Sequence, residues 1–243
     1  MPESTIVAAH DTAPIPIFIG YDPRERAATN VLIDSLYQHS TMPLAVTPLV
    51  KSQLEAQDLY WRQHDPLQST AFSFSRFLVP QLMGFKGWAI FMDCDMLCRG
   101  DIAELWELRD SRHTVMCVQH EHVPTQEVKF LGEVQSRYEK KNWSSLMLFN
   151  CSRCNALTPE YVNSASGLDL HRFRWIGDDA LIGKLPMERW NHLVDVQEAA
   201  MAEEAALLHW TLGGPWFREQ RKMGGSLAAE WFSARDDAVR LWD

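Results

Sequence analysis

The chain has 243 residues, 46% of them hydrophobic, and carries a formal net charge of −9. That length and apolar content suffice for one large α/β domain with a full core. The acidity argues against nucleic acid as the main partner, because phosphate backbones demand a concentrated basic surface, but a nucleotide needs only a few donors and a metal ion.

Residues 1–14 are polar and irregular and read as a flexible N-terminal segment, without the basic start and apolar stretch of a secretory signal. The apolar run 15–19 reads as a strand that Gly20 ends. Tyr21-Asp22-Pro23-Arg24-Glu25 is a loop whose proline suits a helix start. Ala28, Leu32 and Leu36 recur at helical spacing and predict a helix over 26–40, followed by a strand at 44–50. This opening resembles a mononucleotide-binding half, yet Gly-x-Gly-x-x-Gly and the phosphate-loop lysine motif are both missing. Residues 54–69 read as a short helix and loop. Residues 71–83 are helical in pattern, with Arg76 inside and Pro80 near the end.

Then comes a buried strand at 88–92 and a packed turn at 102–108. A strand is predicted at 114–119, a polar excursion at 121–141 and a continuous apolar strand at 145–149 closed by Asn150. Residues 178–185 read as a short helix opened by acids, 193–196 and 206–210 as the last strands, and 218–243 as a helical tail broken at Gly224-Gly225. With no repeat and no long linker, 15–243 reads as a single domain with a helical tail. No run approaches the length of a membrane span. The tryptophan- and arginine-bearing tail, 216–242, is a candidate for peripheral membrane contact, against which the overall acidity weighs.

Five cysteines, an odd number without a secretory signal, read as reduced thiols in a cytoplasmic protein. Cys151-Ser-Arg-Cys154 has zinc-knuckle spacing but no second pair completes a site, so buried thiols are expected there. His120-Glu-His122 is read as a solvated loop.

Asp93-Cys94-Asp95 is the most informative segment. It follows Trp88-Ala89-Ile90-Phe91-Met92 directly, so a buried strand ends in two carboxylates one residue apart. In an extended chain residues i and i+2 point the same way, so the two acids share a side. They repel unless a cation lies between them, and oxygen ligands suit a hard divalent ion that also takes phosphate oxygens. Strand ends of open α/β sheets are also where ligands bind. The rival reading is a polar turn, but apolar residues flank the acids on both sides, and buried unpaired carboxylates are costly.

Four segments stand together: Ile15-Pro-Ile-Phe-Ile-Gly-Tyr21-Asp22, Trp88-Ala-Ile-Phe-Met-Asp93-Cys-Asp95, Gly177-Asp178-Asp179-Ala-Leu181, and Leu208-His209-Trp-Thr-Leu-Gly213-Gly214-Pro215-Trp216. Over about 15–217 the chain resembles the GT-A glycosyltransferases, most closely the family-8 type that includes glycogenin and bacterial lipopolysaccharide galactosyltransferases. The resemblance implies a Rossmann-like mixed central sheet flanked by helices. It implies Mn²⁺ or Mg²⁺ held by Asp93, Asp95 and His209, the imidazole shifting preference toward Mn²⁺. For His209 the rival is a hydrogen-bonded core histidine.

The same resemblance puts Tyr21 and Asp22 at the nucleotide base, with a helix cap as the rival for Asp22. Arg76 would face the sugar diphosphate, with a surface salt bridge as its rival. Gly213 and Gly214 would let the backbone approach the diphosphate, against an ordinary turn. Asp178 and Asp179 would lie near the transferred sugar, against helix capping. Two departures mark a divergent branch. Trp143-Ser144-Ser145 stands where the family often has Asn-Ala-Gly, with Asn142 one residue out of register. The lysine that many members carry in the Gly-Pro turn is absent, with Trp216, Arg218 or Lys222 as substitutes.

What the resemblance implies is sugar transfer from a nucleotide-diphosphate sugar, first a UDP-sugar, to an acceptor hydroxyl on a glycan, a lipid-linked or another molecule, with retention. Same-face displacement would use the leaving phosphate as base; double displacement would use Asp178 or Asp179. The alternatives are a sugar-nucleotide nucleotidyltransferase, which normally starts with a Gly-rich loop where this chain has only Gly20, and a non-catalytic nucleotide-sugar-binding domain.

Overall fold

A computed structural model describes residues 13–63, 65, 68–121, 140–221 and 225–240. Most of the expected N-terminal segment, most of the polar excursion 121–141, His122, Lys222 and Gly224 lie outside the described residues. The described strands are β1 (Ile15–Gly20), β2 (Leu44–Leu49), β3 (Trp88–Met92), β4 (Met96–Cys98), β5 (Val115–Cys117), β6 (Leu146–Asn150), β7 (Ile182–Lys184), β8 (His192–Leu193) and β9 (Leu207–His209). The described helices are α1 (Arg26–His39), α2 (Lys51–Ala56), α3 (Val79–Leu82), α4 (Ile102–Glu107), α5 (Pro159–Ser164), α6 (Gly167–His171) and α7 (Gly225–Ala238).

Two sheets result. The larger has six strands in the order β2-β1-β3-β6-β5-β7, and the smaller has three in the order β4-β9-β8. Parallel pairing joins β1 to both β2 and β3, and β5 to β7, while β6 runs antiparallel to β3 and β5. The apolar runs explain the centre: Ala89, Ile90, Phe91 and Met92 are buried, as is every residue of β6, which suits strands covered on both faces. Between β1 and β2, α1 turns Ala28, Leu32 and Leu36 inward, as the helical spacing predicts. Gly20 ends β1 for a packing reason, because a Cβ there would lie 2.2 Å from the Phe72 ring.

Several elements differ from the sequence reading. The helix expected at 71–83 is a 3-10 turn at Ser75–Leu78 followed by the four-residue α3, whose first turn holds Pro80. Proline is tolerated there because its missing N–H is unpaired in a first turn anyway. The helix expected at 178–185 is a 3-10 turn, Asp179–Leu181, leading into β7. Pairing with β5 overrides local preference at this point, and Gly183 admits the close approach of His113 and Met116. The strand expected at 193–196 shortens to β8.

A second apolar cluster gathers Val31, Leu97, Leu208, Trp210 and Trp231. The Trp216 ring lies between Trp210 and Trp231, 6.0 and 5.4 Å away by centroids. These contacts dock α7 onto the body, with Arg99 Nε 2.7 Å from Glu230 Oε1. Trp216 and Trp231 therefore pack against protein and offer little to a membrane surface. No helix among the described residues is long and apolar enough to cross a membrane.

Candidate active site

Both acids of the Asp93-Cys94-Asp95 turn are tied by their backbones to residues flanking β6 and β9. Asp93 N donates to Ser145 O at 2.9 Å, and Trp210 N donates to Asp95 O at 2.9 Å. Cys94 turns the other way into the core, where its Sγ donates to Glu25 Oε2 at 3.7 Å. Asp93 and Asp95 face a common cavity of about 440 Å³. The antiparallel register of β4 and β9 sets Met96 opposite His209, which brings the imidazole alongside Asp95. One ligand atom from each of Asp93, Asp95 and His209 lies within 4.8 Å of the others.

Arg76 Nη1 is 2.7 Å from Asp93 Oδ1, an ion pair by distance though not aligned as a hydrogen bond. The guanidinium also donates to Ser73 O at 3.1 Å and Ser144 O at 2.8 Å, and lies 5.1 Å from the Phe72 and Phe91 ring centres. It is buried, so the surface salt bridge is set aside.

The donor set tests whether a cation fits. His209 Nδ1 lies 2.8 Å from Asn191 Oδ1, and an amide oxygen only accepts. Nδ1 therefore carries a proton, and in the neutral ring the lone pair is on Nε2, 3.2 Å from Asp95 Oδ1. With the ring neutral two acceptors face each other, an arrangement that a positive charge between them relieves. Glu25 reports the same excess of negative charge: burial first, then Asp95 and Asp22, push its carboxyl up to about 8. Two carboxylates and one imidazole suit a divalent ion, Mn²⁺ more than Mg²⁺. The residues fit the implied metal.

The cavity wall also holds Lys141 and His171, which the sequence reading did not single out, and Asn142 and Ser144, from the segment it marked as departing from the family pattern. Lys140 and Asn142 have left-handed backbones, φ 62° and 64°, on either side of the buried Lys141. Non-glycine residues held this way often mark functional sites. Ser144 Oγ lies 2.8 Å from His171 Nδ1, and that ring packs edge-on against Phe77 at 5.3 Å. His171 closes α6, whose start at Ser166 bears a legible signal: Ser166 Oγ accepts from Asp169 N at 3.0 Å and donates to Asp169 Oδ2 at 2.7 Å. Nothing in Trp190-Asn191-His192 flags Asn191.

The other expected residues are not among those lining this cavity. Tyr21 is half-buried. Asp22 is buried, with Oδ1 accepting from Arg24 N and Nε at 2.9 and 3.1 Å and Oδ2 from Arg24 Nη2 and Ala71 N at 2.8 and 3.0 Å. Burial alone would raise its pKa, but these bonds from Arg24 and Ala71 outweigh it and leave the group below its ordinary value. Its contacts are those of a cap that also clips the 69–71 loop.

Gly213 is left-handed at φ 108°. A Cβ on Gly214 would stand 2.2 Å from the Trp216 ring. Asp178 caps the 3-10 turn through Ala180 N at 2.9 Å. Asp179, 72% exposed in its side chain, meets Lys140 Nζ at 2.5 Å. Neither acid is among the residues lining the cavity.

His120 is buried rather than solvated, because the chain continues inward past β5 and Trp143 Nε1 donates to its carbonyl at 3.0 Å. All five cysteines are buried, and burial pushes the Cys98 and Cys151 thiols up to about 12.

The chain matches the family described as glycosyl transferase family 8 over residues 28–155. It is 45% identical over 209 residues to Protein CDI of Arabidopsis thaliana, which covers 84% of this chain and 80% of that protein. The structure is similar to the apo WbbM bifunctional glycosyltransferase, with a TM-score of 0.64 and 14% identity, covering 93% of this chain and 50% of WbbM, so the chain spans half of that protein's length. It is also similar to the galactosyltransferase LgtC solved with donor and acceptor sugar analogs, with a TM-score of 0.59 and 10% identity, covering 94% of this chain and 98% of LgtC. Likeness at such identities establishes the fold, and the mixed sheet flanked by helices is that of the GT-A glycosyltransferases.

Proposed function

The chain belongs to glycosyl transferase family 8 and is a glycosyltransferase, and from that premise we propose that it is metal-dependent and draws on a nucleotide-diphosphate sugar. The donor proposed first is a UDP-sugar, the acceptor carries a hydroxyl, and the anomeric configuration is retained. One observation carries this reading: Asp93, Asp95 and His209 converge from distant parts of the chain, with a ligand atom of each within 4.8 Å of the others and His209 Nε2 3.2 Å from Asp95 Oδ1. These three would hold Mn²⁺ or Mg²⁺, which supplies electrostatic neutralisation of the diphosphate as negative charge develops on it.

The remaining roles belong to the chain's own side chains. Arg76 is anchored to two carbonyls and offsets the charge of Asp93. Lys141 is the buried cation proposed to face the diphosphate, in place of a lysine in the 213–216 turn, where Trp216 already fills the space beside Gly214. Ser144 and His171 are the polar pair proposed to meet sugar hydroxyls. Tyr21 is proposed to pack against the base.

Transfer breaks the bond between the anomeric carbon and the phosphate oxygen and forms one to the acceptor oxygen. The acceptor proton goes to the departing phosphate in a same-face displacement. With Asp178 and Asp179 outside the cavity lining, this route has more support than a double displacement through either. Asp179 instead steadies the 140–142 wall through Lys140.

The test is a thermal-shift screen of UDP, GDP and CDP, each with Mn²⁺ and with EDTA. A nucleoside diphosphate at a hundred times its dissociation constant should add about 2.7 kcal/mol when Mn²⁺ is present. Equal stabilisation in EDTA overturns the metal-dependent reading, since two bare carboxylates repel a diphosphate.

A further inference from the structure

Asn191 is fully buried and left-handed, φ 57°, immediately before β8. Its side chain bridges the two sheets. Nδ2 donates to Ser145 Oγ at 3.0 Å, and Oδ1 lies 2.8 Å from His209 Nδ1. The protons along this chain have one consistent arrangement. Ser145 Oγ donates its single proton to Asn142 O at 2.6 Å, so toward Asn191 it can only accept. The amide must then turn its NH₂ to Ser145 and its oxygen to His209. That oxygen needs a donor, which makes Nδ1 the protonated ring nitrogen. Nε2 keeps its lone pair, 3.2 Å from Asp95 Oδ1.

We propose that Asn191 is a positioning residue for the divalent cation, fixing His209 in the Nδ1–H tautomer through Ser145 and so setting Nε2 as the ligand atom. This inference rests on the metal-dependent reading above. Ser145 O also accepts from Asp93 N at 2.9 Å. One serine therefore anchors the backbone of a ligand in the larger sheet and, through Asn191, orients the ring of a ligand in the smaller one. A group that holds the second nitrogen of a ligating imidazole sets both tautomer and ring orientation, and its loss weakens metal affinity about 10–100-fold.

Asparagine also favours left-handed backbone on its own account, so the test separates backbone from amide. Asn191→Gly keeps the backbone and removes the amide; Asn191→Asp keeps an oxygen opposite Nδ1. Mn²⁺ binding to the nucleotide-free protein is titrated by electron paramagnetic resonance, with the unfolding midpoint of each variant measured alongside. Asn191→Gly should bind Mn²⁺ about 10–100-fold more weakly, while Asn191→Asp stays near the unsubstituted protein. A folded Asn191→Gly variant of unchanged affinity overturns the proposal, and so does an Asn191→Asp variant as weak as Asn191→Gly. Should Asn191→Gly not fold, ¹⁵N spectra of the histidine rings in the metal-free unsubstituted protein, taken to alkaline pH until the His209 ring is neutral, decide, with the Nδ1–H pattern at His209 supporting the proposal and the Nε2–H pattern overturning it. An unsubstituted protein that binds no Mn²⁺ brings down the metal-dependent reading together with this one; one that binds Mn²⁺ regardless of the amide removes only Asn191.

Discussion

β1 and β3 are parallel neighbours in the larger sheet, and each runs out into aspartate at the same end. Asp22 follows β1 and Asp93 and Asp95 follow β3. In the sequence the two ends look alike, apolar run then acid. In the structure they differ in their surroundings. Asp22 takes four hydrogen bonds, from Arg24 and Ala71. Asp93 and Asp95 face a shared cavity beside the His209 imidazole, with the Arg76 guanidinium on Asp93. An acid closed over by donors is a clip; two acids held with an imidazole at a cavity are a receptor for a cation. What separates them is the neighbourhood supplied by distant chain, not the acid or the strand before it.

Removing one charge at the receptive end should give the largest effect. Asp95→Asn keeps the shape and loses the negative charge. Donor turnover should fall by about 10³-fold or more, several kcal/mol in the barrier, with the unfolding midpoint little changed. Turnover near that of the unsubstituted enzyme would make Asp95 another cap and erase the contrast.

The closed end should answer in the opposite currency. Asp22→Ala strands the donors that Asp22 satisfied and should cost about 1–3 kcal/mol of stability. Mn²⁺ affinity, titrated on the same folded variant, should not move. The acid limb sharpens the point. The folded pKa of Asp22 is depressed below 3.8, so its stabilisation is complete above that unfolded value and disappears as pH falls through the folded one. The stability gap between Asp22→Asn and the unsubstituted protein should therefore narrow below about pH 4. A gap that stays constant into acid, or a loss of Mn²⁺ affinity in Asp22→Ala, would blur the two ends.

The smallest effect is expected at a third acid. Asp179 pairs with Lys140 while largely exposed to water. Asp179→Ala should shift stability by less than about 1 kcal/mol, because Asp179 is solvated and Lys140 Nζ keeps its bond to Arg172 O, and leave turnover within the same order of magnitude. A fall of several orders in turnover with unchanged stability would return Asp179 to a catalytic role and revive double displacement.

Legibility followed burial. β1, β3 and β6 are continuous apolar runs with clear ends, and α1 has a clean inward stripe, so all four were readable. α5 and α6 went unread although Thr158-Pro159-Glu160 and Ser166 with Asp169 cap them. Ala180-Leu181-Ile182 looked helical, yet Ile182 extends to pair with Val115, a choice that only the presence of β5 makes favourable. In the site, the acids and His209 stood out as unusual residue types beside apolar runs. Lys141, His171 and Asn191 did not, since single polar residues carry no periodic signal.

Local sequence carries the central strands, the pairing of two acids on one side of a strand end, and the residue types available to hold a cation. Long-range packing settled which acids are receptive and which are satisfied. It did so by pairing β4 with β9, which brings His209 beside Asp95 across 114 positions of chain, and by bringing Ala71 and Arg24 to Asp22. The physical reason is that the charge state and receptivity of a carboxylate depend on the donors within a few ångströms, and those are assembled by long-range packing that local sequence does not encode.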